Sequence, residues 1–208
     1  MSKDKQIGDK GWAVIEKDFE ALMKDLNKEL GWFGDEALAN TPKRITRFYK
    51  ELKANEHFTF TTFDVPTQQT KGLIILKSVR FYSLCEHHML PFEGVATIAY
   101  MPKEGGRICG VSKLARAVVK FASKPQLQER MTNEIADYLK EQLDAHFVMV
   151  VLRAVHFCLR MRGVKQPESE MVTSAVRANE AKMESVKDIN ALKQEVLDSV
   201  KLGHMISL

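Results

Sequence analysis

The sequence predicts an α+β protein built on an antiparallel sheet. Two observations carry this prediction. Helical periodicity opens and closes the chain, and the β-prone segments between come in two pairs separated by two further helices. The members of the first pair are joined by nothing longer than Glu86–Pro91, a connection suited to antiparallel neighbours.

Taken in order, the first element is a helix over Asp9–Leu30. Trp12, Ile15, Phe19, Leu22, Met23 and Leu26 recur three and four residues apart there, and Gly31 and Gly34 break the pattern. Thr41-Pro42 reads as the start of a second helix, with Thr41 as N-cap, Pro42 in the first turn and Ile45, Phe48, Tyr49 and Leu52 on the apolar side. Lys43, Arg44, Arg47 and Lys50 fall outside that side. From about Phe58 the pattern turns to strands, Gly72–Cys85 and Phe92–Met101. Gly105-Gly106 reads as a turn. Helices follow at Ser112–Ala122 and Gln126–Asp144, the latter started by Pro125. His146–Arg162 is the most β-prone segment, Met171–Val176 pairs beside it, and Ala181–Leu202 is a closing helix with Ile189, Val196 and Val200 on one side.

Composition narrows the class. The chain has 208 residues, 45% hydrophobic and 28% charged, enough to bury a core without staples and to exclude a disordered, collagen-like or disulfide-scaffold protein. No apolar run approaches the length of a membrane span, and the opening MSKDKQIGDKGW has no apolar signal core. The expectation is a cytoplasmic protein with no membrane partner. A net charge of +4 is too small to imply nucleic acid and suits an anionic substrate. Basic residues do not alternate with aromatics, which also speaks against a nucleic-acid surface. Three cysteines, an odd number, favour metal binding or catalysis over disulfides.

The densest chemistry is Cys85-Glu86-His87-His88, at a predicted strand end. Taken alone, Cys-x-x-His is a weak metal signal, and a strand end with incidental histidines reads as well. The second piece is His156-Phe157-Cys158. If the strand runs on to Arg162, a period of two leaves one core face and another carrying His156, Cys158, Arg160 and Arg162. A buried core cysteine is the plain alternative for Cys158. Together, Cys85, His88 and Cys158 make a Cys₂His set for Zn²⁺, which leaves one tetrahedral corner for water as catalytic sites do. His87 and His156 stand ready as proton acceptors.

Ser112–Ala122 adds an independent signal. Lys113, Arg116 and Lys120 share a stripe, and Ser112 sits where an N-cap would present free N–H groups to an anion. That face is either a phosphate cradle, to which Arg162 and Arg44 would add, or an ordinary solvated surface. Gln128 and Glu129 lie off the buried stripe of the next helix. Most such residues merely face water, but a carboxylate beside a zinc and phosphate site could accept two N–H bonds from a guanine edge. His57, His146 and His204 read as surface, and Cys109 as a packed small residue.

These residues carry a resemblance. Ser83–His88, Gly110–Arg116, Gln126–Arg130, Ala154–Cys158, Asn40–Arg44 and Arg162-Gly163 are similar, in order and spacing, to motifs of the GTP cyclohydrolase I family over about residues 40–175. The resemblance implies the tunnelling (T) fold, an antiparallel sheet with helices packed on one face. It implies an N-terminal helical segment, 1–56, and a catalytic domain, 57–208, acting as one unit. It also implies a toroidal homodecamer of two pentamers with active sites between subunits, so that Arg44 serves a neighbour's site.

The implied activity is hydrolysis of GTP to 7,8-dihydroneopterin triphosphate and formate, the first step of a tetrahydrofolate, other pterin or deazapurine pathway. Zinc on Cys85, His88 and Cys158 would activate water for attack on guanine C8, with His87 and His156 moving protons. Glu129 would hold the guanine edge, with Gln128 and Ser112 positioning the nucleotide. Lys113, Arg116, Arg162 and Arg44 would bind the triphosphate. Competing readings are a deazaguanine nitrile reductase of the same fold and a non-catalytic zinc- and nucleotide-binding protein. The chain departs from the family pattern after Arg162-Gly163, where no glycine-bearing turn precedes a long, polar final helix.

Overall fold

The computed structural model describes residues 7–64, 72–178 and 186–201. The chain divides into two compact units, Met1–Ala54 and Asn55–Leu208.

The first unit contains two helices. α1 spans Asp9–Leu30, opening on Gly8 and closing on Gly31, whose φ of 64° lets its N–H reach Asn27 O. α2 spans Asp35–Asn55, so the helix expected to start at Thr41-Pro42 begins earlier. Asp35 and Glu36 provide an acidic first turn, and Leu38 and the flanking alanines favour the helix strongly enough to carry it through Pro42. The proline costs one backbone bond inside the helix, and Thr46 Oγ1 donates to the Pro42 carbonyl at 2.9 Å. Phe19 and Tyr49 stack at 5.8 Å between the helices.

The second unit is organised by a five-stranded sheet. Its strands are β2 (Ile74–Cys85), β3 (Pro91–Met101), β5 (Pro125–Gln126), β6 (Phe147–His156) and β7 (Met171–Ala178), in the order β5-β2-β3-β6-β7. Every pairing is antiparallel except the short parallel one of β5 with the end of β2. Pro125 thus belongs to a strand and not to the start of the following helix, which runs from Gln128. β1 (Thr62–Asp64) and β4 (Arg107–Cys109) form a separate two-stranded ribbon. Three helices and one helical turn complete the unit: α3 (Val111–Ala122), α4 (Gln128–Leu143), α5 (Phe157–Arg160) and α6 (Val186–Lys201).

β6 reads as a continuous apolar run because both its faces are covered. Val148, Val150, Leu152 and Ala154 join the main core with Leu114, Ala117 and Val118 of α3 and Met131, Ile135 and Leu139 of α4. Phe147, Met149 and Val151 form a second cluster with Ile189 and Val196 of α6. Helices therefore lie on both faces of the sheet, not on one. The expected closing helix is present as α6, with 181–185 and 202 of its predicted span outside the described residues, as is His204.

The largest local correction is at the end of β6. The strand stops at His156, and Phe157–Arg160 form a helical turn, so Cys158, Arg160 and Arg162 do not continue a strand face. Near this end β3 and β6 come close: a Cβ on Gly94 would sit 2.0 Å from the Arg153 carbonyl, so only glycine fits. His146 is half-buried, not surface, and Cys109 is buried as expected. Burial pushes the Cys109 thiol up to about 11. No helix among the described residues is long and apolar enough to cross a membrane.

Candidate metal and nucleotide site

The end of β2 is built to present two ligands from one tight turn. Cys85 N–H donates to Leu90 O at 2.8 Å, while the N–H groups of His88 and Met89 return to Cys85 O. Met89 closes the turn at a φ of 54°, in the left-handed region. The result places Cys85 Sγ and His88 Nδ1 on the same side of the turn.

The third ligand arrives from the far side of β3. β6 carries the chain to His156, and the helical turn of α5 then brings Cys158 back towards Cys85. The ligand atoms of Cys85, His88 and Cys158 all lie within 4.8 Å of one another, the one such trio of Cys, His or carboxylate side chains among the described residues. Zinc bonds of about 2.3 Å to sulfur and about 2.05 Å to nitrogen give a tetrahedral S···N edge of about 3.6 Å, and Cys85 Sγ lies 3.6 Å from His88 Nδ1. The donor set also fits electrostatically. Burial, and then the neighbouring Cys85 thiol, push the Cys158 thiol up, while Arg162 pulls it down. A divalent cation beside the Cys158 sulfur would oppose that rise and hold it as the thiolate.

His156 is the most constrained residue beside this trio. Its ring stacks on Phe92 at 4.5 Å and 4°, and its Nε2 lies 2.8 Å from Gln128 Oε1. Gln128 is 1% exposed. Its Nε2 donates to Leu152 O at 3.3 Å, Met171 O at 3.0 Å and Thr173 Oγ1 at 3.1 Å. Two of those partners are carbonyls, which only accept, so the amide orientation is fixed and Oε1 faces the histidine. An oxygen there requires a donor: His156 carries its proton on Nε2 and leaves Nδ1 as the ring's acceptor. Burial holds the imidazole below its ordinary range, partly opposed by the Glu129 carboxylate.

Sequence reasoning took Gln128 for a residue off the buried stripe. The signal was present: positions 128, 131, 135 and 139 are spaced three and four apart, which puts Gln128 in line with Met131, Ile135 and Leu139. Thr132, one turn on, bonds to Gln128 O and Thr173 Oγ1 and is also fully buried. Glu129 keeps to the exposed side of α4, close enough to His156 for its charge to act.

The basic stripe of α3 is only partly free. Lys113 Nζ donates to Thr59 O at 2.8 Å and Lys120 Nζ to Glu56 O at 2.6 Å, so both hold the segment ahead of β1. Phe58 and Phe60 of that segment pack on Tyr138 of α4. Arg116 remains exposed. Ser112 is exposed too, but the N-cap is Gly110 at extended φ and ψ, which makes Ser112 the second helical residue. His87 faces solvent beside His88, the two rings edge-to-face at 6.2 Å. Arg162 is exposed and acts electrostatically on Cys158. Arg44, in the first unit, pairs with Glu36 on its own helix at 2.7 Å.

Fold and site together define a class: an α+β protein with a Cys₂His group able to hold a metal ion, beside a half-buried histidine of fixed tautomer. A family model described as GTP cyclohydrolase I matches residues 15–196. The GTP cyclohydrolase 1 of Bacillus subtilis is 42% identical over 194 residues, covering 90% of this chain and 93% of that protein. The Bacillus pumilus enzyme of the same name is 43% identical, over 88% and 94%, and that of Geobacillus kaustophilus 46%, over 76% and 81%. A solved archaeosine synthase QueF-Like, in the apo form, matches at a TM-score of 0.43 and 14% identity over 53% of this chain and 98% of that one, too distant to bear on this chain. The chain belongs to the GTP cyclohydrolase I family.

Proposed function

We propose that this chain hydrolyses GTP to 7,8-dihydroneopterin triphosphate and formate at the Cys85, His88 and Cys158 centre. The observation that carries the reading is the convergence of those three ligands beside His156, whose protonation is set by Gln128. Zinc is the metal the donor set suits, and when bound it supplies Lewis acidity and an acidified water for opening the guanine imidazole ring.

The remaining work falls to the chain's own groups. His156 Nδ1 accepts a proton, because Nε2–H is committed to Gln128; exposed His87 exchanges protons with solvent. Glu129, a carboxylate on the open side of α4, accepts N–H bonds from the pyrimidine edge of guanine. Gln128 acts through His156, since its amide is spent inside the protein. Arg162 holds the triphosphate beside the metal, and Arg116, Ser112 and the second and third N–H bonds of Lys113, at the far start of α3, do so at a neighbouring copy's site.

The same reading includes assembly. Among the described residues, β7 pairs only with β6, and β2 pairs on its outer side only through Leu84 and Cys85. Both sheet edges therefore offer backbone groups to another copy. Copies joined edge to edge close into pentameric rings that stack as a decamer, which gives Arg44 a neighbouring site to serve. The enzyme works in the cytoplasm, where its nucleotide is found.

The test is incubation with GTP, with and without a zinc chelator, following formate release and pterin absorbance. Zinc-dependent formation of both products is expected. GTP left intact by zinc-loaded protein overturns the reading and leaves a nucleotide-binding protein. Absorbance loss at 340 nm with NADPH and a deazaguanine nitrile would point to reductase chemistry instead.

A further inference from the structure

Between its two ligands, the Cys85–His88 turn carries Glu86, and this residue is bound at both ends. Its backbone N–H donates to Gln126 O at 3.1 Å, in the parallel pairing of β2 with β5. Its carboxylate receives Arg130 Nη2, from the first turn of α4. The same guanidinium reaches Gln126 through Nε, 2.9 Å from Oε1. Gln126 is itself fixed: it is 1% exposed, and its Nε2 donates to Phe121 O at 3.0 Å and Glu134 Oε2 at 2.7 Å. The turn is thus fastened to a buried amide by one backbone bond and one bridging arginine.

The place of this fastening gives it meaning. Gln128 and Glu129 stand two residues and one residue before Arg130 on the same helical turn. A rigid link from Glu86 to Arg130 therefore sets the distance between Cys85 and His88 on one side and Gln128, Glu129 and His156 on the other. We propose that Glu86 and Arg130 are positioning residues of the metal centre, locking the ligand turn to the start of α4 so that ligands and proton-transfer groups keep one register. The ion pair adds little to folding itself, since the side chains are 42% and 32% exposed for Arg130 and Glu86. Its effect is orientational, as for other groups that hold metal ligands from behind.

The inference rests on the metal reading of the trio, and the experiment separates the two. Zinc-loaded parent protein, Glu86→Gln, Arg130→Met and the double variant are mixed with a chromogenic zinc chelator, and release is timed. Each single variant is expected to release zinc about tenfold faster. The double variant should be no faster than the quicker single one, because the pair acts as a unit. The melting temperature of the metal-free proteins should not change. Parental release rates in both single variants overturn the inference while leaving the metal centre in place. So does a multiplicative, about hundredfold effect in the double variant, or a matching fall in metal-free melting temperature, which would make the pair a folding contact. A parent that retains no zinc overturns the metal reading, and this inference with it.

Discussion

Two helices, α3 and α4, run in opposite senses past the metal centre, and their first turns are used in opposite ways. α4 begins beside His156, whereas α3 ends beside Cys85 and begins after Cys109, which meets Tyr100 at the other end of β3. α4 opens with Gln128 buried, Arg130 exposed but tied to Glu86, and Glu129 facing solvent. α3 opens on Gly110 with no side-chain cap, and Ser112 and Arg116 stand exposed. The start of α4 is thus already spent on the protein, and that of α3 is largely unspent. The difference separates a preorganised centre, which fixes the Cys85–His88 turn and a histidine tautomer, from an open helix start at the other end of the sheet, which has donors left for an anion. Preorganised groups should control turnover, and open ones affinity.

The comparison breaks most completely at the metal trio. Cys158→Ser is expected to lose zinc and all measurable turnover, because two remaining ligands from one turn make a poor zinc site. Metal analysis of the purified variant checks this, and stoichiometric zinc would remove Cys158 from the ligand set.

Next come the groups held by the start of α4. His156→Ala should keep its zinc and lose turnover by ~10²-fold or more. Gln128→Leu should lower turnover about tenfold by releasing the histidine tautomer, and cost about 1–3 kcal/mol of stability by stranding buried partners. A pH–rate profile separates the two Gln128 effects, since a fold defect alone leaves the shape of the profile unchanged.

These predictions depend on features the sequence displayed unevenly. The pairing of Cys85 with His88 is readable because one tight turn keeps both side chains local. Cys158 joins Cys85 and His88 although the expected continuing strand gives way to the turn of α5 after β6. Its neighbours His156 and Arg162 drew attention whichever way the chain ran. Gln128 was misread because a polar residue on an apolar stripe looks like an error until the carbonyls it meets, from β6 and β7, are known. Glu86 and Arg130 are 44 residues apart and share no local pattern, so only the tertiary fold pairs them. Thr41-Pro42 shows the converse: a strong local start signal was overridden by good helix formers ahead of it. α6 escaped as a cover for the second face because an apolar strand does not say which helix will shield it.

The smallest expected effect gives the finest test of the open helix start. Lys113, Arg116 and Lys120 form one stripe in sequence, yet the structure gives them different tasks. Lys120 Nζ is bound to Glu56 O at 2.6 Å and lies 5.8 Å from the rings of Phe121 and Tyr138, whereas Arg116 faces solvent. Arg116→Ala should raise the KM for GTP about tenfold with little change in kcat, the worth of one charge-assisted bond of about 1.4 kcal/mol. Lys120→Met should leave KM unchanged and cost about 0.5–1.5 kcal/mol of stability through the lost bond to the Glu56 carbonyl. Steady-state kinetics and thermal melts on the pair of variants decide it. Equal KM changes would mean that the stripe acts as one anion-binding surface, and that the bonds holding Lys120 open when the nucleotide binds.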